Sequence, residues 1–327
     1  MATNNRTAYL DNVAGILIVH MIYTYHIAYA CSLHDNTCIQ AINNVLFFFM
    51  AWFLFKGGMT YKNKPTKDMF KKSAKRLLVP YACFCLIGIV IDFTLKYFSN
   101  SFPGFISFIK DEAYTFLTTS IVWSTGASWF LLTLFLVRNV YNYISDKLYS
   151  WQIALLCLLA SFTLTFVKNV IPCYISNFFH GMALFSMGNS LKNTRFNKPL
   201  LFISICIFTL SFYIPSKIDF RDNSVICGHY LMAVAYEIAG CIIINNFFSQ
   251  FCNKHVILLT YIGKNSMVFY LVHYPVMYIT IHIISQIMNL KDDMVVMFVI
   301  TVLIVTVSLI VADRIFKHDK LKFVIGG

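Results

Sequence analysis

Apolar residues come in long blocks along the chain, separated by short polar breaks. About ten of these blocks approach the roughly 20 residues that a helix needs to cross a hydrocarbon core of about 30 Å. They lie near 10–30, 39–60, 77–98, 126–144, 151–168, 173–191, 199–215, 225–248, 265–287 and 294–314. The breaks at 145–151 and 192–198 are the shortest, which makes the fourth, fifth and seventh blocks the weakest spans. No polar stretch is long enough for a second fold, so residues 1–327 are expected to form a single domain. The pattern predicts an all-α integral membrane protein in the cell (inner or plasma) membrane.

Composition sharpens this picture. The 327 residues are 58% hydrophobic and 12% charged, with a mean hydropathy of +0.68, which excludes a soluble globular enzyme. The 17% of aromatic residues excludes disorder. A net charge of +12 could indicate nucleic acid, but its placement argues otherwise. With the segment 61–76 (YKNKPTKDMFKKSAKR) in the cytoplasm, only Lys96, Lys110, Lys168, Lys217, Arg221 and Lys291 of the 26 Lys and Arg fall on the far side. The basic surplus is therefore a topology signal and a contact with anionic headgroups, not a nucleic-acid surface, and it puts both termini in the cytoplasm. The first apolar block lacks a small-residue cleavage site and is expected to stay as a helix. Cys31 and Cys38 bracket the first outer loop, where a disulfide and two free thiols both remain open. The ten cysteines are too scattered for a zinc site, and no metal is expected.

Ionisable groups inside spans are costly and mark function by default. Those of interest are Asp11, His20, His26, Asp92, His180, His229, Glu237, His273, His282 and Asp313. Glu237 lies mid-span and must pair, protonate or face a polar cavity. On a regular helix His26 falls about 60° around from Asp11 and about 22 Å further along, whereas His20 falls on the opposite face. Lys56 and two glycines end the second block, where backbone can approach a ligand. KKSAKRLLVPY sets Lys72, Lys75 and Arg76 just before Pro80 and Tyr81, a cluster suited either to phosphate or to anchoring at the membrane surface. YIGKNSMVFYLVHYP opens a helix with Asn265 and Ser266 and puts His273 ahead of Pro275, whose ring frees a carbonyl inside the span.

The ordered set YLDNVAG…H, FFFM.WF, KRLLVPY, SWFLLTLFLV and YIGKNSMVFYLVHYP resembles the acyltransferase 3 family of multi-span membrane acyltransferases, over about residues 6–314. That resemblance implies transfer of an acyl group, commonly acetyl from acetyl-CoA, to a hydroxyl. The usual acceptor is a surface polysaccharide or its lipid-linked sugar precursor; macrolide or peptide-like acceptors also occur. Acetyl-CoA is then a donor substrate, with no resident cofactor.

Three departures from the family pattern stand out. The Ser-Gly usual after the paired phenylalanines is missing: Phe48 and Phe49 are followed by Met50, Ala51 and Trp52. Ala14 occupies the place of an arginine, with Lys56 close enough to replace the charge. The histidine eleven residues beyond that arginine is also displaced: Tyr25 stands there and His26 follows. On a regular helix His26 then points about 120° from the Ala14 direction, and a one-residue bulge would restore the face.

The resemblance and the chemistry of acyl transfer assign His26 as general base, with His273 or His20 as its substitute and Asp11 orienting the site. Asn265, Ser266, Tyr270 or Lys56 stabilise the oxyanion, and Trp129 walls the site. Lys72, Lys75 and Arg76, with Tyr81, receive the coenzyme at the cytoplasmic mouth. The acceptor pocket is expected from helix packing and the outer segment 99–125. Two rival readings are a transporter using Asp92, Glu237 and the histidines as a proton relay, and a glycan-export component without transferase activity. A second copy of the chain is left open as a partner.

Overall fold

The computed structural model describes residues 5–99, 101–167, 171–192, 198–221, 223–287, 293–318 and 321–326. Of the cations used for the topology reading, Lys168, Arg195, Lys291, Lys320 and the Arg6 side chain lie outside the described residues.

Helices carry nearly all of the described structure. In chain order they are α1 (Asn5–Val19), α2 (Thr37–Leu46), α3 (Phe49–Met59), α4 (Thr66–Ser73), α5 (Val79–Phe98), α6 (Phe105–Thr119), α7 (Trp129–Ile144) and α8 (Ser150–Leu164). Then follow α9 (Cys173–Leu191), α10 (Lys198–Tyr213), α11 (Tyr230–Phe251), α12 (Ile257–Lys264), α13 (Ser266–Ile284) and α14 (Met294–Phe316). An antiparallel hairpin, β1 (Lys217–Asp219) and β2 (Ser224–Cys227), separates α10 from α11.

Among the described residues, six helical stretches are long and apolar enough to cross a membrane: Ala8–Ala30, Thr37–Met59, Thr66–Phe98, Tyr230–Phe251, Ser266–Ile284 and Met294–Phe316. The other expected blocks are helical too but fall short of that measure. α7 and α10 have 16 residues and α8 has 15, or about 24 Å of helix at 1.5 Å per residue. α9 reaches 19 residues but carries Asn177, His180 and Asn189. The block at 225–248 begins as a strand, because Gly228 turns the chain at φ +70° before α11 starts. The segment 99–125, expected as loop, contains α6.

Close helix crossings at glycine set the packing. A Cβ on Gly15 would run into the Leu259 carbonyl of α12, and one on Gly263 into the Asp11 carbonyl of α1. α3 and α9 interlock in the same way, Gly58 against the Phe185 carbonyl and Gly188 against the Phe55 carbonyl. Such contacts let backbones approach and gain dispersion where lipid offers no hydrophobic drive between helices. Asn12, fully buried, locks α1 in register: its amide donates to the Cys252 and Lys254 carbonyls at 2.8 Å, and its carbonyl accepts from the Thr260 hydroxyl at 2.7 Å.

The first span is not a regular α-helix. From His20 to Ile27 it runs as a π-helix, and a second π segment, Ala74–Leu78, joins α4 to α5. π turns are rare and cluster at functional sites, because one added residue re-aims everything beyond it.

Candidate active site

His26 leaves the π segment of the first span half-buried, and Nδ1 meets Nε2 of the fully buried His273 at 2.9 Å. Nδ1 of His273 lies 3.0 Å from the Phe269 carbonyl, one turn back on α13. A carbonyl only accepts, so hydrogen-bond partnership assigns the His273 proton to Nδ1 and leaves a lone pair on Nε2. His26 then donates from Nδ1, and its own Nε2 carries the free lone pair. The result is a neutral imidazole base oriented by a second imidazole, which is in turn oriented by main chain. Tyr25 and Tyr274 hold the His26 ring edge-on at 5.1 and 5.4 Å.

His26 lines a cavity of about 520 Å³ whose walls are rich in aromatic rings, Tyr25, Phe47, Phe49, Trp129, Phe220 and Tyr274 among them. Trp129 stacks on Phe220 with ring centroids 6.1 Å apart. One wall comes from the β1–β2 hairpin, and the described residues of the 99–125 segment contribute none of the lining.

A second cavity, about 200 Å³, is lined by Lys56, Arg76 and Arg138 together with Ser266. Among the described residues none of these three cations enters an ion pair. Lys56 donates to the Leu10 carbonyl at 3.3 Å and lies over the Trp52 ring. Arg76 belongs to the second π segment.

Tyr270 lines both cavities. Each of the same four spans or helices supplies wall to one cavity and, a few residues on, to the other: Ile18 then Met21, Phe53 then Met50, Phe130 then Trp129, Met267 then Tyr274. The cavities are therefore stacked along one axis and parted by an aromatic septum. Tyr270 lies 5.8 Å from Phe130, which lies 6.3 Å from Phe53. The Tyr270 hydroxyl donates to the Ala127 carbonyl.

The residues expected from the sequence thus divide. His26, His273, Trp129, Tyr270, Lys56, Arg76 and Ser266 gather on or beside the two cavities. His20 is buried against Phe49 with Nδ1 on the Thr24 hydroxyl, and it lines neither cavity. Lys72 and Lys75 are exposed and line neither. Tyr81 is buried with its hydroxyl on the Ser120 carbonyl at 2.9 Å. Asn265 donates to the Tyr261 carbonyl at the joint between α12 and α13. Asp11 also lines neither cavity but lies within electrostatic reach of Lys56.

Arg138 was not singled out by sequence reading, although a cation well inside α7 was a visible signal. Glu237 has its partner, with Oε2 2.9 Å from His180 Nε2, and Tyr230 completes the buried cluster at 3.1 Å from Nδ1. Asp92 accepts from the Ser124 amide at 3.2 Å. Both groups act as struts between elements. Cys31 and Cys38 are free thiols.

A multi-span membrane protein with a hydrogen-bonded imidazole pair at an aromatic chamber, and a cationic chamber behind the shared wall at Tyr270, has the parts of a group-transfer enzyme. The chain belongs to the acyltransferase 3 family, whose acyltransferase domain matches residues 7–313, and it is a membrane acyltransferase. No curated protein and no solved structure matches the chain.

Proposed function

We propose that this chain moves an acyl group, acetyl in the first instance, from acyl-CoA to a hydroxyl of a saccharide acceptor: a cell-surface polysaccharide or its lipid-linked sugar precursor. The observation that carries the reading is the shared wall at Tyr270, with a cation-ringed cavity on one side and the cavity of the His26–His273 pair on the other. The cationic cavity faces the cytoplasm, where acyl-CoA is made, and both termini lie on that side. The basic residues of 61–76 and the excess of Lys and Arg on the same side support this orientation.

Lys56, Arg76 and Arg138 receive the coenzyme's phosphates, with Ser266 beside them. The thioester reaches the septum, and the acceptor hydroxyl lies in the aromatic chamber against His26. Nε2 of His26 takes the hydroxyl proton as the oxygen attacks the thioester carbonyl. The new C–O bond forms, the carbonyl oxygen becomes an oxyanion, and the C–S bond then breaks. The proton held on His26 returns to the departing thiolate, giving ester and free thiol. His273 holds the Nδ1 proton of His26 throughout and shares the positive charge of the imidazolium. Tyr270, which lines both cavities, supplies a donor to the oxyanion when its hydroxyl turns from the Ala127 carbonyl.

Mass analysis of surface glycans with and without this gene, before and after mild base, tests the reading. Loss of a base-labile acetyl on deletion, restored by the wild type and not by His26→Ala, is the expected outcome. Unchanged acylation with altered glycan amount or export would overturn it in favour of a glycan-export component.

A further inference from the structure

The β1–β2 hairpin supplies Ile218, Asp219, Phe220, Arg221 and Ile226 to the chamber of His26. It is fixed in place from beneath. Ile218 is buried against Tyr230, Ala233 and Val234 of α11, and the Asn223 amide donates to the Ser161 hydroxyl at 3.0 Å. Arg221 is clamped through its main chain on both sides. Its N–H donates to Asp219 Oδ1 at 2.8 Å, and its carbonyl accepts from the buried Asn177 amide at 2.5 Å.

Among the described residues the guanidinium makes no hydrogen bond, and its one charged neighbour there, Asp219 Oδ2, lies 3.7 Å away, with the Arg221 side chain 53% exposed. Exposed pairs of this kind contribute little and are displaced readily. Arg221 is also the single cation among the described residues lining this chamber. A planar fork of donors on a rigid main chain, at the rim of an aromatic cavity, fits a two-oxygen anion far better than a neutral hydroxyl.

Resting on the acyl-transfer reading above, we propose that Arg221 forms an anion subsite for the acceptor. The saccharide that enters beside His26 carries a phosphate or a carboxylate, and its sugar ring packs against Trp129 and Phe220. A phosphate would come from a lipid-linked glycosyl phosphate, a carboxylate from an acidic sugar.

The test is calorimetric binding of methyl glucoside, methyl glucuronide and glucose 1-phosphate to the full chain in nanodiscs, with acetyl-CoA turnover measured in parallel. At least one of the two anions should bind the wild type about ten- to a hundredfold more tightly than methyl glucoside. The tighter of the two identifies the source of the charge. Arg221→Met should erase the preference while leaving methyl glucoside binding unchanged, and Arg221→Lys should keep part of it. Equal binding of neutral and anionic sugars by the wild type, a preference that survives Arg221→Met, or no anion binding at all would overturn the proposal. Turnover without a charge preference would sink this inference alone. Arg221-dependent anion binding without turnover on any sugar would keep the subsite and count against acyl transfer.

Discussion

His26 and His273 stand 247 positions apart in the chain and share a hydrogen bond of 2.9 Å. Sequence reading treated them as alternatives for one role; the geometry brings them together as one hydrogen-bonded pair. One ring faces the chamber, and the other is buried and pinned to the Phe269 carbonyl. This division of labour separates the two substitutions. His26→Ala removes the base and should lower kcat by about 10²–10⁴-fold. His273→Ala leaves the base without its orienting partner and should lower kcat by about a hundredfold with KM for the acceptor little changed. Equal KM effects from both variants would point to binding roles instead.

The base works only while neutral. Protonation of the imidazole removes the acceptor that catalysis needs, so kcat/KM should rise with pH along a limb set by one proton and then level off. As pH falls, His26 gains its proton and the lone pair on Nε2 is lost. Residual activity in His26→Ala should show no such limb. A pH-rate profile of both proteins checks this, and an acid limb that persists in His26→Ala would assign it to another group.

Register is a separate requirement. The π segment His20–Ile27 carries the residue that a regular helix has no room for. Deleting Ile22 should return the span to α geometry and rotate His26 by about 100° relative to α1. The variant should still insert and stay folded, because α1 remains locked through Asn12, yet its acyl transfer should be lost. Retained activity would mean that the bulge is incidental.

The three cations should act on the donor alone. Arg76→Ala and Arg138→Ala should each raise KM for acetyl-CoA by about ten- to a hundredfold, the worth of a charged hydrogen bond. Neither should alter KM for a short thioester such as S-acetyl-N-acetylcysteamine, which has no phosphates. Equal effects on both donors would indicate a general packing defect.

The septum predicts uncoupling. Tyr270→Ala should open the wall between the chambers and admit water, so acetyl-CoA is hydrolysed without any acceptor present. Tyr270→Phe keeps the ring against Phe130 and loses only the hydroxyl; it should slow transfer without raising hydrolysis. Thiol release measured with and without acceptor separates the two. No hydrolysis by Tyr270→Ala would show that the septum does not hold the chambers apart.

Much of this was legible in one dimension. Blocks of apolar residues report burial in lipid directly, because a bilayer rewards the same composition wherever the chain crosses it. The ordered motifs pointed to the family, and Lys56, Arg76, Trp129, Ser266, Tyr270 and both site histidines were named from them. That a one-residue bulge would restore the face of His26 came from setting its spacing against the family pattern, because one added residue turns a helix by about 100°. Length was the weaker signal: α7, α8 and α10 correspond to the three blocks read as the weakest spans, and at 16, 15 and 16 residues they fall short of the roughly 20 that a crossing needs. Lys72, Lys75 and Tyr81 share a motif with Arg76, but only Arg76 reaches the cavity, since neighbours on a helix point in different directions.

By itself the sequence determined the solvent, the helical class, the family and the kinds of side chain that catalysis uses, all of which follow from composition and short-range order. Only the tertiary structure decided which of those side chains meet. The glycine crossings of α1 on α12 and α3 on α9, and the Asn12 lock, set helix depth and rotation to within a side chain's reach. That precision brings His273 to His26, Arg138 to Lys56 and Arg76, and the hairpin's Arg221 to the chamber. Contacts over hundreds of residues depend on packing, and no local pattern records them.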